Sequence, residues 1–269
     1  MDHTLYIYNA TLWTMTVIAV FVFACLYFVK AGYGIFRTKA WGWSIDNKVA
    51  WVLMEAPVFI IMLWMWTSNG ATTALPAFFA FLLFQMHYFQ RSFVFPLLMK
   101  GKSRMPIAII LMGVTFNVVN GILLGKGLFS FPPSSFNEGT AFFLRPLSLF
   151  GIAAFFLGMG INLHSDHVIR HLRKPGDTNH YLPSKGLYRY VTSANYFGEL
   201  IEWIGFALFT TIPAAWVFVI WTAANLIPRS AAIHKCYRKE FGDAVGKRKR
   251  IKNIIKFYQY STKQNKIYT

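Results

Sequence analysis

Four polar residues recur with helical spacing at the end of an apolar run that begins at Leu147. In "INLHSDHVIRHLRKPG" they occupy positions i, i+4, i+8 and i+11 of one predicted helical face and are Asn162, Asp166, Arg170 and Arg173. Guanidinium groups bind phosphate with paired hydrogen bonds, and the neighbouring donors and acceptors suit a ribose. The pattern favours a polyanionic cofactor at the membrane face, and a positive-inside anchor is the alternative for the two arginines.

A second polar stripe lies further along the chain, in "ANYFGELIEW". Its members stand at i, i+4 and i+7 and are Asn195, Glu199 and Glu202. The other faces of this predicted helix are apolar or aromatic and begin with Tyr196. Because an acid at the bilayer centre costs about 2.5–3.5 kcal/mol, the stripe indicates either a wet groove inside a bundle or hydrogen bonds between helices.

Glu55 is a third acid within an apolar run, in "WVLMEAPVF". Pro57 can free backbone groups one turn upstream that would bind this carboxyl, but a residue facing a cavity is favoured. In "MHYFQRSFVFP", Tyr88 and Arg91 are i, i+3 neighbours at the end of another apolar run. A tyrosine at such a place is also typical of an interfacial anchor.

The last apolar run is followed by a further set of polar side chains. Arg229 and Tyr237 share one face of the predicted helix, and His234 lies at its edge. This helix would emerge on the same side as Arg170, and helices converging there would form a basic mouth that leads into an apolar bundle.

No metal site and no dinucleotide-binding fingerprint are predicted. His164, His167 and His171 include one H-x-x-x-H pair, but di-iron membrane hydroxylases need several histidine clusters, and others such as His87 are isolated. "GMG" at 158–160 has neither the preceding strand nor the third glycine of the fingerprint. It is interpreted as close packing between helices.

The composition is that of a membrane protein. The 269 residues are 55% hydrophobic and 14% charged, against about 25% charged in soluble domains. The net charge of +17 could suggest nucleic acid, but the cations lie in short loops and at the C-terminal end, and no nucleic-acid-binding module is present. The first residues, "MDHTLYIYNA", lack a basic n-region, so the first apolar run is predicted to be a retained span and not a signal peptide.

Seven spans near the ~20 residues needed to cross a bilayer are predicted. They cover residues 9–29, 49–67, 73–90, 106–124, 146–165, 195–211 and 213–230. Cation-rich and cation-poor loops alternate between them, which places the N-terminus outside and the C-terminus in the cytoplasm. The fold class is therefore an all-α integral membrane protein with one domain over residues 1–269, in which 146–257 forms the cofactor-binding part and 258–269 a basic tail.

These motifs resemble those of the membrane steroid 5α-reductase family in order and spacing. The resemblance rests on "INLHSDHVIRHLRKPG", "YRYVTSANYFGELIEWIGFAL" and "HYFQRSFVFP", with "LMEAP" matching a Gln-Glu-x-Pro element in part, and it covers residues 51–257. It implies a bacterial homologue that uses NADPH to reduce the C4–C5 double bond of a 3-oxo-Δ4-steroid. Met54 stands where similar reductases place Gln, which leaves the substrate open.

The resemblance also implies roles for individual residues. Tyr88 and Glu55 would contact the 3-oxo group as the catalytic pair. The substrate contacts would be Trp51, Glu55, Tyr88 and Phe116. The cofactor contacts would be Asn162, His164, Asp166, Arg170, Arg173, Asn195, Glu199, Arg229, His234 and Tyr237. Neither a metal nor a flavin is required, because the cofactor supplies the hydride.

Other functions compete with a steroid reductase. A related membrane reductase acting on a polyprenol or a trans-2-enoyl thioester is kept open by Met54. A methyltransferase of the isoprenylcysteine type would use S-adenosylmethionine, but its "RHPxYxG"-like stretch is replaced here by "TSANYFGE". A lipid-binding protein without activity would not need the cationic polar faces. The expected partners are an apolar enone and membrane lipids, with the chain a monomer in a bacterial inner membrane or the endoplasmic reticulum.

Overall fold

The protein is a bundle of long helices, described here from a computed structural model. The structure describes residues 3–71, 74–101, 103–173 and 179–251. Two three-residue strands, β1 (Ser44–Asp46) and β2 (Arg104–Pro106), pair antiparallel. The helices are α1 (His3–Phe28), α2 (Asn47–Ser68), α3 (Leu75–Phe89), α4 (Phe95–Leu98), α5 (Ile107–Gly125), α6 (Pro146–Arg170), α7 (Ala194–Thr210) and α8 (Pro213–Phe241).

Local signals in the sequence set where several helices begin and end. The carboxylate of Asp46 accepts hydrogen bonds from the first backbone amides of α2, as an N-cap residue does. Pro146 and Pro213 stand in the first turns of α6 and α8, where a missing amide hydrogen costs nothing. Thr211 adopts a left-handed conformation, with φ of 56°, and this reverses the chain between α7 and α8.

Each of the seven predicted spans corresponds to a helix, but the count of spans is only partly supported. Five helical stretches among the described residues are long and apolar enough to cross a membrane, which makes the chain an integral membrane protein. They are His3–Phe28, Asn47–Ser68, Ile107–Ser130, Pro146–Arg170 and Pro213–Val245. The two remaining helices, α3 and α7, have 15 and 17 residues.

The position of α3 and α7 inside the bundle explains how these helices can carry a few polar side chains. Most side chains of both helices are buried, and the two pack against each other, with α3 also against α2 and α7 also against α6 and α8. A helix surrounded by other helices does not face lipid along its length, so it can carry polar residues where partners satisfy them. The two inner helices are shorter than the five spanning helices, and they hold His87, Glu199 and Glu202 inside the bundle.

Glycines bring α6 and α7 into close contact. A Cβ atom on Gly158 would lie 2.6 Å from the carbonyl oxygen of Gly198, and one on Gly198 would lie 2.6 Å from the amide nitrogen of Asn162. Gly151 and Gly205 form a second contact of this kind, two helical turns away along each helix. The packing interpretation of "GMG" is thus confirmed for Gly158, whereas Gly160 faces open space.

Contacts between distant loops gather the cation-rich segments at one end of the bundle. Strand β1 precedes α2 and β2 precedes α5, so their pairing joins the loops 30–48 and 91–105. Val191 forms a bridge with Lys249, which joins the loop before α7 to the segment after α8. These pairings agree with the predicted alternation of the loops.

Helix α6 ends earlier than predicted. Its last residue is Arg170 and His171 is its C-cap, so Arg173 lies beyond the helix and not on the shared face. The amides of residues 171 and 172 still bond to carbonyls of the final turn, which tapers into the loop. The predicted break at Pro175 and Gly176 lies outside the described residues.

The α6–α7 contact predicts a difference between two neighbouring glycines. Gly158→Ala should lower the apparent Tm in detergent by several degrees, because a methyl group overlapping backbone costs about 1–3 kcal/mol. Gly160→Ala is the matched control and should leave the apparent Tm unchanged or slightly raised, because it adds helix propensity in open space. Equal shifts for the two variants would contradict the close contact at Gly158.

Candidate active site

Arg91 is the centre of the buried polar cluster. Its Nη1 donates to Oδ2 of Asp166 at 3.2 Å, and its Nη2 lies 3.5 Å from Oε2 of Glu199. The guanidinium also lies over the rings of Trp51 and Phe95, with its carbon 4.9 and 4.6 Å from their centroids. Arg91 is only 8% exposed, so one buried cation ties together α6, α7 and the helix that leads into α4.

A local irregularity positions this arginine. Residues Gln90–Val94 form a single π-helical turn between α3 and α4, and the turn contains Arg91. Such turns add one residue to a helix and change the direction of the side chains that follow, and they are frequent at functional sites. Tyr88 lies in the last turn of α3, and Arg91 lies in the π-helical turn that follows it.

The polar faces of α6 and α7 meet through a chain of hydrogen bonds. The amide of Asn162 donates to the backbone carbonyl of Asn195 at 3.0 Å and lies 3.4 Å from Oε2 of Glu199. The amide of Asn195 donates in turn to Oδ1 of Asp166 at 3.2 Å. The prediction that these four residues lie together is confirmed by the geometry, and their roles stay predictions.

Tyr188 completes this chain from the loop before α7. Its hydroxyl donates to Oδ1 of Asn195 at 3.2 Å, so the side-chain amide of Asn195 both donates and accepts. Burial raises the pKa of Tyr188 well above its ordinary value, and the nearby carboxylate of Asp166 raises it further. The phenol therefore stays protonated and keeps its donor role over the whole physiological pH range.

Glu55 faces α5. Its Oε2 accepts from the amide of Asn117 at 3.2 Å, and the same amide donates to the backbone carbonyl of Met54 at 2.7 Å. That carbonyl lies in the turn loosened by Pro57, which is the expected source of free backbone groups. The side chain of Met54 packs against Gly113 within an apolar cluster.

Tyr88 lies in an aromatic core with its hydroxyl unused. Its ring centroid is 4.6 Å from that of Phe84 and 5.9 Å from that of Trp203, and the residue is 4% exposed. Among the residues that the structure describes, the hydroxyl has no hydrogen-bond partner. Glu55 and Arg91 lie within electrostatic range of this phenol, so a donor without a partner lies in the field of charged groups.

His87 precedes Tyr88 and forms a pair with an acid of α7. Its Nδ1 lies 2.7 Å from Oε1 of Glu202, and both side chains are buried. Glu202 therefore departs from the stripe formed by Asn195 and Glu199, because it turns towards α3 instead of α6. The three residues have the predicted helical spacing, but their side chains bond to different partners.

The basic mouth is built around Arg229 on α8. Its Nε donates to the hydroxyl of Tyr196 at 2.9 Å and its Nη2 to the backbone carbonyl of Tyr33 at 3.1 Å, with the guanidinium 3.7 Å above the Tyr33 ring. His234 is buried with Nδ1 3.3 Å from the hydroxyl of Thr192. Tyr33 lies within electrostatic range of both Arg229 and Arg91. The basic mouth therefore adjoins the buried polar cluster around Arg91.

Four predicted site residues lie towards the edge of this arrangement. His164 is exposed and packs beneath Gly186. Arg173 is exposed and within electrostatic range of Tyr237, which links these two residues on one side of the mouth. Phe116 packs against Trp221 of α8 with centroids 4.9 Å apart, which places it on the face of α5 that meets α8.

The sequence alone does not identify several residues of this site. Their signals were weak, because each alone looks like an ordinary core or interface residue. Arg91 and His87 were noted but given no role, and Tyr196 was assigned to an apolar face. The missed residues are His87, Arg91, Asn117, Tyr188 and Tyr196. A buried acid at 55, 199 or 202 needs a partner, and that need was the one available sign that such residues exist.

Comparisons with known proteins agree with this picture. The profile of the 3-oxo-5-alpha-steroid 4-dehydrogenases matches residues 103–255. The 3-oxo-5-alpha-steroid 4-dehydrogenase 1 of Bos taurus is 34% identical over 230 residues, which cover 84% of this chain and 88% of the relative. The chain belongs to the steroid 5α-reductase family. It is therefore an oxidoreductase, and the resemblance seen in its motifs is confirmed.

Two further relatives are similar to this chain over most of its length. The steroid 5-alpha-reductase DET2 of Gossypium hirsutum is 32% identical over 246 residues, covering 90% of this chain and 93% of the relative. The 3-oxo-5-alpha-steroid 4-dehydrogenase 2 of Homo sapiens is 37% identical over 206 residues, covering 76% and 79%. The family profile matches from residue 103 onwards, so Glu55, Tyr88 and Arg91 lie outside the stretch that it matches.

The role of Arg91 as a shared counter-charge can be tested by stability. Arg91→Ala should lower the apparent Tm by roughly 10 °C, because removing one partner of a buried ion pair costs about 3–5 kcal/mol. The matched control is Arg145→Ala, since Arg145 forms an exposed pair with Glu138 that is worth about 0–1 kcal/mol. Similar shifts for the two arginines in detergent would contradict a central role for Arg91.

Proposed function

We propose that the chain reduces the C4–C5 double bond of a 3-oxo-Δ4-steroid with NADPH as the reductant. The relatives are named as 3-oxo-5-alpha-steroid 4-dehydrogenases and steroid 5-alpha-reductases, which supports this substrate class. The observation that carries the proposal is the side chain of Tyr88, which is 4% exposed and whose hydroxyl has no hydrogen-bond partner among the described residues. Glu55 and Arg91 lie within electrostatic range of this phenol.

The chemistry of an enone explains what such a donor does. A hydride added at C5 leaves negative charge that delocalises onto the 3-oxo oxygen. A phenol that donates to this oxygen stabilises the charge as it develops, and it does so more strongly in a site from which water is excluded. Tyr88 is held by Phe84 and Trp203, so its position does not need to be organised during the reaction.

Glu55 is the second catalytic residue of the proposal. Its carboxyl is fixed by Asn117, which itself is anchored on the carbonyl of Met54. Glu55 would orient the Tyr88 phenol or share a proton with the 3-oxo group, and a proton from solvent completes the product at C4. Trp51 lies under Arg91 on the same helix as Glu55, and it would form part of the wall around the substrate.

The residues around the mouth fit a dinucleotide with phosphates. One guanidinium nitrogen of Arg170, Nη1, is buried without a hydrogen-bond partner among the described residues, and an anionic ligand would satisfy it. Asp166 and Asn162 offer the acceptor and donor that ribose hydroxyls require. NADPH, when bound, supplies the hydride. Its proposed contacts are Asn162, His164, Asp166, Arg170, Arg173, Asn195, Glu199, Arg229, His234 and Tyr237.

The proposal includes a topology and a setting. Seven membrane-crossing helices in one domain, with the N-terminus outside, would put the mouth on the cytoplasmic side. The pairing of β1 with β2 and of Val191 with Lys249 supports this, because it gathers the cation-rich loops at one end. The active chain is proposed to be a monomer surrounded by membrane lipids, in a bacterial inner membrane or the endoplasmic reticulum.

The identity of the enone is the less constrained part of the proposal. Met54 motivated the alternative of a polyprenol or a trans-2-enoyl thioester, but its side chain contacts Gly113 within an apolar cluster. This position gives no direct contact that would favour one substrate over another. The names of the relatives support a steroid, and a substrate panel is the direct comparison.

Removing the phenolic donor tests the mechanism. Tyr88→Phe should reduce kcat for a 3-oxo-Δ4-steroid by roughly 10²-fold or more, because the enolate loses its hydrogen bond. The apparent Tm should change little, since the hydroxyl has no partner to lose. Tyr190→Phe is the matched control, because Tyr190 is 68% exposed, and it should keep full turnover. Unchanged turnover in Tyr88→Phe would remove this residue from the mechanism.

Ligand-dependent stabilisation tests the cofactor. NADPH at 100 times its Kd should stabilise the folded chain by about 2.7 kcal/mol, whereas S-adenosylmethionine should give no shift. Arg170→Ala should weaken the NADPH effect, and Arg189→Ala, which removes an exposed cation, should retain it. Stabilisation by S-adenosylmethionine alone would favour the methyltransferase instead.

A further inference from the structure

A buried pair that the proposed mechanism does not use lies directly beside Tyr88. Nδ1 of His87 is 2.7 Å from Oε1 of Glu202, and Glu202 is 0% exposed. The other carboxyl oxygen, Oε2, has no partner among the described residues. The bond to His87 is thus the hydrogen bond that the structure shows for this carboxyl, and it crosses between two inner helices.

The residues that follow each member of the pair are also in contact. His87 precedes Tyr88 on α3, and Glu202 precedes Trp203 on α7. The Trp203 ring meets the His87 ring edge-on at 4.5 Å and the Tyr88 ring at 5.9 Å. The His87 and Tyr88 rings meet edge-on at 5.1 Å. His87, Tyr88, Glu202 and Trp203 therefore form one group of contacting side chains.

Stability alone does not account for a polar pair at this place. The surroundings are aromatic, with Phe84, Phe155, Phe206 and Phe218 packed around Trp203. Replacing a buried ion pair by apolar residues of similar volume is often neutral or stabilising. What a hydrogen bond adds to such a core is direction, because it fixes the plane of the imidazole ring that an apolar contact would leave free to turn.

We propose that His87 and Glu202 are positioning residues, which act by holding the Tyr88 ring in the orientation from which its hydroxyl reaches the substrate carbonyl. The inference rests on the proposed role of Tyr88. The Nδ1–H of His87 donates to Glu202, which sets the imidazole, and the imidazole together with Trp203 fixes the phenol. Misplacement of a reacting group by about 1 Å can cost 10²-fold in rate.

Two other charged groups lie near this pair and contribute to its electrostatic environment. Glu199 lies one turn before Glu202 on α7, and Arg91 follows His87 on the continuation of α3; both act on His87 electrostatically. Arg91 is already shared between Asp166 and Glu199 through direct contacts. The imidazole is therefore the cation or donor left for Glu202, which explains why the pair is separate from the Arg91 cluster.

A double-mutant cycle distinguishes positioning from plain structural support. The variant His87→Phe/Glu202→Leu removes both polar groups, so that no buried carboxylate is left unpaired, and keeps an aromatic ring against Trp203. It should lower kcat about tenfold, while the KM for the steroid and the apparent Tm stay within about twofold and 3 °C of the parent. In the Tyr88→Phe background it should lower kcat no further.

A second variant covers the case in which this replacement disturbs folding. Glu202→Gln keeps the shape and an acceptor for His87 but loses the charge-assisted bond, so kcat should fall about threefold with Tyr88 present and be unchanged with Tyr88→Phe. Equal losses in both backgrounds, or full activity of either variant with Tyr88 present, would overturn the inference. The single variant Tyr88→Phe is measured separately, so failure of the proposed function itself would be recognised there.

Discussion

The whole arrangement depends on the burial of one guanidinium among several carboxyls. Arg91 contacts Asp166 of α6 and Glu199 of α7, and Glu55 of α2 lies within its electrostatic range. Acids inside a bundle in lipid are too costly to leave alone, and a single cation that serves more than one of them fixes where their helices can lie. The π-helical turn after α3 is the local distortion that brings Arg91 to this position.

This constraint explains why the buried charged and polar side chains lie on the inner helices. The helices α3 and α7 carry His87, Glu199 and Glu202, Arg91 follows in the π-helical turn after α3, and other helices surround them. Glycines such as Gly158 allow α6 to approach α7 closely enough for the amide and carboxyl groups of both to meet. The longer helices α2, α6 and α8 pack around α3 and α7. The active site is thus a consequence of how the inner helices satisfy one another.

Much of the fold could be predicted from the sequence, because apolar runs of about 20 residues locate the helices, and i, i+4 spacing located the facing stripes of α6 and α7. The choice of partners could not be predicted. Glu202 shares a stripe with Asn195 yet bonds to His87, which no local spacing indicates. The helical face drawn through Arg173 failed because α6 ends at Arg170, and helix ends are the least certain part of a periodic pattern.

The central claim is that a hydride from a nicotinamide cofactor is added to an enone polarised beside Tyr88. The most direct measurement uses purified protein, a 3-oxo-Δ4-steroid and NADPH that carries deuterium at its transferable position, with the product analysed by mass spectrometry and NMR. The account predicts a saturated 3-oxo-steroid with one deuterium at C5. Recovery of unchanged steroid, or a reduced product without deuterium at C5, would contradict it.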